Sequence, residues 1–139
     1  MLWTMNKLSL YKTRIGEVMT KDLIVASLDY TVGDAVDKMV DHDVECLPVI
    51  DAEGVLHGLI TFRDVVMKVV YQKMTEREMK VEKIMSKKLV TCDPSSSVLD
   101  IVKIMKNRHL RRIPVVVDKN RLVGLVTDFD LALFGWGIQ

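Results

Sequence analysis

The chain has 139 residues, 49% hydrophobic and 28% charged, a size that suits one compact domain or two small repeats sharing a core. No apolar run approaches the roughly 20 residues that span a bilayer, and a net charge of +1 gives no general reason to expect nucleic-acid binding. Cys46 and Cys92 lack CxxC spacing, which argues against a disulfide framework or a metal knuckle.

Met1 to Lys12 mixes Leu2, Trp3, Met5, Leu8 and Leu10 with Lys7 and Lys12. It has no continuous apolar stretch and no small-residue cleavage site, so it does not read as a signal peptide, and a cytoplasmic location is expected. Thr13 is predicted to cap a short helix over Arg14 to Met19, and Leu23-Ile24-Val25-Ala26 to form a short strand. Thr31 and Asp34 have the spacing of a capping box with Asp in place of Glu, and Val32, Ala35, Val36, Met39 and Val40 follow on one helical face. Leu47 to Ile50 and Val55 to Ile60 flank the turn Asp51 to Gly54 as a hairpin. Thr61 to Asp64 leads into a helix from Val65 to about Met74, with Val65, Val66, Val69 and Val70 on its apolar face. Thr75 to Lys80 reads as a charged linker.

The order then recurs. Val81 to Met85 is predicted as a short helix, Lys88 to Thr91 as a strand, and Ser97 as the cap of a helix, with Asp100 three residues on. Val98, Ile101, Val102 and Met105 form that helix's apolar face. Ile113 to Val117 and Leu122 to Val126 make a second hairpin, and a last helix over Leu131 to Phe134 is ended by Gly135 and Gly137.

The clearest sign of duplication is Gly58-Leu59-Ile60-Thr61-Phe62-Arg63-Asp64, which returns as Gly124-Leu125-Val126-Thr127-Asp128-Phe129-Asp130. The glycines, threonines and aspartates of the two copies are each 66 residues apart, and a fixed period marks an internal repeat. The organisation read from this is an extension over 1–12, a first repeat over 13–74, a linker over 75–80, a second repeat over 81–134 and a tail over 135–139. One unit of about 55 residues is marginal for an independent core. The two are expected to pack through their sheets as a pseudo-twofold α/β (α+β) domain of two βαββα repeats, with clefts at the seam. Their charges differ: Glu17 to Asp64 holds 11 acidic and 3 basic residues, whereas Lys80 to Arg121 holds 4 acidic and 11 basic. Such asymmetry points to an anionic partner for the second half or to acid-on-base packing between chains.

Taken together, these residues resemble a tandem pair of cystathionine-β-synthase-type (CBS) repeats, also called a Bateman module, over roughly Ile15 to Phe134. The resemblance is carried by Val18-Met19-Thr20 and Ile84-Met85-Ser86, the apolar strands after them, Leu47-Pro48-Val49 and Ile113-Pro114-Val115, and the two glycine-to-aspartate segments. It implies a regulatory, non-catalytic module that binds adenine nucleotides (AMP, ADP or ATP) in the seam between repeats, in the manner of an energy sensor, and passes occupancy to a partner protein. The nucleotide is then a regulatory ligand and no other cofactor is implied. Thr61 and Thr127 would contact phosphate through their hydroxyls, and Asp64 and Asp130 would accept both ribose hydroxyls. An aspartate near a helix N-terminus, held by free amides, suits a vicinal diol, and a capping threonine can turn hydroxyl and amides toward an anion.

Adenine needs an apolar slot. On the family pattern Ile24 and Val25 line the site of Asp130, and Val90 and Thr91 line that of Asp64, with Pro48 and Pro114 on the neighbouring strands. Leu23 and Leu89 read as core. A basic pair, Arg111 and Arg112, precedes the Ile113-Pro114 strand, where the resemblance implies contact with phosphate at the Asp64 site; arginine forks suit phosphate oxygens. The equivalent residues of the first repeat are Glu45 and Cys46. The Asp64 site is therefore expected to favour a phosphorylated nucleotide, and the basic pair to disfavour S-adenosyl-methionine. Such pairs commonly dimerise as flat discs, and the opposite charges of the halves favour an antiparallel homodimer, weakly because salt screens them. Leu2, Trp3 and Leu8 at one end, and Phe134 and Trp136 at the other, are candidates for covering the dimer or docking a partner. The alternative is a protein-interaction or nucleic-acid-binding module using the basic second half, against which the lack of a clustered aromatic stacking surface counts. His42, His57 and His109 show no tight metal-ligand spacing. No Ser-His-Asp or Cys-His set and no GxxxxGK loop appears, so an enzyme is not expected.

Overall fold

The computed structural model describes residues 7–73 and 78–137. The candidate docking residues Leu2 and Trp3, and the linker residues 75–77, lie outside that range. The chain forms two compact units, one from residues up to Leu23 with Val90–Asp118 and the chain from Leu122, the other from Ile24–Leu89 with Lys119–Arg121. After their central helices they are called the α5 unit and the α3 unit.

In the α3 unit, strand β1 (Ala26–Ser27) pairs parallel with β2 (Cys46–Ile50), which pairs antiparallel with β3 (Leu56–Thr61). Helix α3 (Val32–Asp41) follows β1. Its cap is the predicted box: Asp34 N donates to Thr31 Oγ1 at 3.1 Å and Thr31 N to Asp34 Oδ2 at 3.0 Å, satisfying two otherwise orphan amides. Val32, Ala35 and Met39 face the core, whereas Val40 is exposed because it falls past the buried stripe. Core partners are Leu47, Val49, Ile60, Val81, Ile84 and Met85. The last three come from the start of the second sequence repeat, a 3-10 turn over Val81–Lys83 and the residues after it.

The α5 unit mirrors this. Helix α5 (Val98–Arg108) is capped by Ser97, whose Oγ accepts Asp100 N at 3.1 Å, and packs by Val98, Ile101 and Met105 on Ile113 and Val115 of β4 (Arg112–Val117) and Val126 of β5 (Arg121–Thr127). The same core contains Ile15 and is lined by Val18 and Met19; these belong to α2 (Ile15–Val18) and the residue after it, at the start of the first sequence repeat. The compact units are thus not the sequence repeats: each takes its opening motif from the other copy. Helix α1 (Lys7–Lys12) precedes α2.

Several boundaries differ from the sequence reading. Thr13 does not cap α2. Arg14 does, because Glu17 reaches back to accept Arg14 N at 2.7 Å. The expected strand Leu23 to Ala26 shrinks to Ala26–Ser27, since only those two find ladder partners, Val49 and Ile50; the apolar residues before them serve burial, not pairing. Lys88 to Thr91 forms no strand, and the nearest pairing is one parallel bridge, Cys92 to Val115. Helix α4 (Phe62–Val65) begins three residues before its expected start and continues as a π-turn over Val66–Val70, in which Tyr71 N donates to Val66 O at 2.8 Å. Helix α6 (Asp128–Gly135) likewise begins three residues early. Both shifts follow from Thr61 and Thr127 being the caps. Val66 and Val70, placed on an apolar face by periodicity, are 52% and 66% exposed, and Val102 is also exposed.

Candidate functional site

The duplicated segment forms the same device in each unit. In the α3 unit β3 ends at Thr61 and α4 begins. Asp64 N donates to Thr61 Oγ1 at 3.1 Å, Thr61 N to Asp64 Oδ2 at 2.9 Å, and Thr61 Oγ1 to the same Oδ2 at 3.0 Å. In the α5 unit Asp130 N donates to Thr127 Oγ1 at 3.1 Å and Thr127 N to Asp130 Oδ2 at 3.0 Å. Each carboxylate is therefore fixed by main-chain and side-chain bonds at the head of its helix, a position that suits negative charge.

A second hydroxyl reaches each carboxylate from the opening motif of the other repeat, within the same unit. Thr20 Oγ1 stands 3.1 Å and 3.2 Å from the two oxygens of Asp130. Ser86 Oγ stands 3.4 Å from Asp64 Oδ1. Thr20 and Ser86 are themselves 66 apart. Backbone pairing brings them there: Leu59 and Ser86 exchange both N–H···O bonds, at 3.0 Å and 2.8 Å, as do Leu125 and Thr20, at 3.0 Å and 2.8 Å. This close approach explains the glycine that opens each segment. A Cβ on Gly58 would come within 2.8 Å of Ser86 O and 2.7 Å of Met85 Sδ, and one on Gly124 would meet Met19 Sδ. The sequence reading missed Thr20 and Ser86 as partners of the aspartates; their shared period marks them as equivalent positions but not which aspartate each meets.

It also missed Lys68. Its Nζ lies 3.1 Å from Asp64 Oδ1 and donates to Ile84 O at 2.8 Å. Asp64 is 8% exposed, whereas Asp130 is half-buried, and no cation lies within ion-pair distance of Asp130 among the described residues.

The other candidates divide between the units. Ile24, Val25 and Pro48 belong to the α3 unit with Thr61 and Asp64; Val90, Thr91, Arg111, Arg112 and Pro114 belong to the α5 unit with Thr127 and Asp130. Ile24 packs on the α3 core, Val25 O accepts Lys38 Nζ at 2.6 Å, and Pro48 is buried opposite Leu59. Val90 and Thr91 are half-buried, and Pro114 is buried in β4, its carbonyl accepting Cys92 N at 3.1 Å. Arg111 O accepts Asp128 N at 2.9 Å, as Glu45 O accepts Phe62 N at 3.2 Å, so each of these backbones is tied to the start of the helix that bears its own unit's aspartate. Burial, with the Asp93 charge adding to it, pushes the Cys92 thiol up to about 11. Among the described residues no cluster of His, Cys, Asp and Glu has metal-site geometry, and no helix is long and apolar enough to cross a membrane.

A model of the CBS domain matches residues 15–71 and again 81–136. The chain is 34% identical over 119 residues to the CBS domain-containing protein YhcV of Bacillus subtilis, covering 86% of this chain and 83% of YhcV. It is 35% identical over 118 residues to inosine-5'-monophosphate dehydrogenase of Methanocaldococcus jannaschii, covering 85% of this chain but only 23% of that enzyme. Among solved structures, the CBS domain pair of protein MJ0100 in complex with 5'-methylthioadenosine and S-adenosyl-L-methionine aligns with a TM-score of 0.76 at 29% identity, covering 88% of this chain and 96% of that one. Hypoxic Response Protein I, with two coordinated zinc ions, aligns with a TM-score of 0.76 at 27% identity over 86% of this chain and 97% of its own.

Proposed function

Because the chain belongs to the CBS-domain family as a tandem pair, we propose that it is a regulatory module whose ligand carries an adenosyl group, with adenine nucleotides as the class. The observation that carries this reading is the duplicated carboxylate held by a threonine box and a second hydroxyl. A fixed acceptor beside rotatable hydroxyls matches the vicinal diol of ribose, and the related MJ0100 pair holds two adenosyl compounds. Asp64 and Asp130 are the ribose acceptors, Thr61 and Thr127 turn their hydroxyls to phosphate, and Arg111 and Arg112 supply phosphate charge. Ile24, Val25 and Pro48 in one unit, and Val90, Thr91 and Pro114 in the other, offer apolar surface to adenine.

Occupancy reaches a partner protein through differential ligand affinity for two arrangements of the module. A second copy of the chain is the first partner to consider: Phe62, Val66, Met67, Val70 and Tyr71 of the α3 unit expose apolar side chains close together in sequence, surface that pairing would cover.

Mass spectrometry of small molecules released by denaturing the purified protein, followed by calorimetry with AMP, ADP, ATP and 5'-methylthioadenosine, tests the reading. At least one adenosyl compound is expected to bind, with loss of binding in Asp64→Ala, Asp130→Ala or both. Binding of none, or binding that survives the double substitution, would sink it.

A further inference from the structure

The two copies differ at the position of Lys68. Lys68 Nζ is held by two acceptors, Asp64 Oδ1 at 3.1 Å and Ile84 O at 2.8 Å, so the ammonium is oriented, not a free surface charge. It lies in the π-turn Val66–Val70, an insertion that recurs at functional positions. The period of 66 carries Lys68 onto Phe134, which packs against the α5-unit core within regular helix α6. Where Asp64 meets an ammonium, Asp130 meets the neutral hydroxyl of Thr20.

We propose that Lys68 is a specificity-determining residue that lets the Asp64 site accept a phosphorylated adenosyl ligand, while the Asp130 site, without that cation, prefers a neutral or cationic one. The proposal rests on the adenosyl reading above and assigns ligand charge to its two sites. Asp64 has the Lys68 ammonium beside it at 3.1 Å, whereas among the described residues no cation lies within ion-pair distance of Asp130. A phosphate monoester brings a charge of about −1.5 to −2 near neutral pH. Close to an uncompensated carboxylate in a half-buried setting that charge is repelled; close to a neutralised pair it is not. A thioether or sulfonium on the same sugar meets no such penalty, and a sulfonium gains from the bare carboxylate.

AMP and adenosine differ by the phosphate alone, so calorimetric titration of the full-length chain with both isolates the effect. In an Asp130→Ala background AMP is expected to bind more tightly than adenosine. Adding Lys68→Met should weaken AMP about tenfold, the scale of one ion-pair interaction, and adenosine by less than about twofold. Lys68→Gln, which retains a donor for Ile84 O, should match Lys68→Met, and Lys68→Arg should restore AMP binding. Equal loss of AMP and adenosine, or loss of neither, overturns the proposal. Wild-type protein that binds neither compound overturns this assignment, whereas the adenosyl reading falls only if ADP, ATP and 5'-methylthioadenosine fail to bind as well.

Discussion

At the scale of single residues, the two glycines that open the duplicated segments are not equivalent. At Gly58 an added methyl meets a main-chain oxygen, Ser86 O, at 2.8 Å, whereas at Gly124 it meets the flexible end of Met19. Backbone resists displacement and a thioether does not. Gly58→Ala is therefore expected to cost about 1–3 kcal/mol and Gly124→Ala less, as read by urea denaturation of each variant; a larger loss at Gly124 would contradict this. Cys92 provides a second test. Its thiol is raised from 9.0 to about 11 by burial and the neighbouring Asp93 charge, and only thiolate reacts with alkylating agents. Labelling of Cys92 in the folded protein should be slow at pH 8 and quicken as pH climbs toward 11. Because the folded value is raised, the corresponding stability is present at neutral pH and is lost as pH rises through it. Rapid labelling at pH 8 would refute the assignment.

Among the elements, the short opening motifs matter beyond their length. Ile15 is fully buried in the core built by α5, β4 and β5. Truncation to alanine leaves a cavity and is expected to cost about 2–5 kcal/mol. Hydrogen exchange should then report lost protection in α5 and β4 at least as much as around α2, because the damaged core is that of the second repeat; protection lost only around residues 14–20 would argue otherwise. The caps of the two central helices are legible in the amino-acid order itself, since the Thr31–Asp34 box and the Ser97 cap with Asp100 three residues on follow from local chemistry. The strands Leu23 to Ala26 and Lys88 to Thr91 are not. Their apolar composition records burial, and whether a buried run also joins a ladder depends on which backbone lies beside it. Val66 and Val70 fail for a related reason: the 3.6-residue period assumes a regular helix, and the π-turn Val66–Val70 abandons it.

For the molecule as a whole, the exchange of opening motifs predicts that neither sequence repeat folds alone. A fragment from residue 81 to the end lacks Ile15, Val18 and Met19 of the α5-unit core, and at that size no spare core exists to absorb the loss. Its circular dichroism should show little cooperative melting, unlike a fragment that also carries residues 7–23 on a linker; cooperative unfolding of the shorter piece would disprove the interdependence. Self-association is testable with Val70→Asp and Tyr71→Asp, exposed in the α3 unit, which should shift a dimer to monomer in analytical ultracentrifugation. The sequence alone determined that there are two copies of one plan, that Thr31 and Ser97 cap the central helices, and that Thr61 with Asp64 and Thr127 with Asp130 are the chemically paired positions, because periodicity and capping are local properties. Only the tertiary structure decided that Met19 and Thr20 serve the second copy while Met85 and Ser86 serve the first, and that Asp64 faces Lys68 while Asp130 faces Thr20. Those partnerships arise from chain segments that meet only when a core closes around them, and no local pattern encodes which segment that will be.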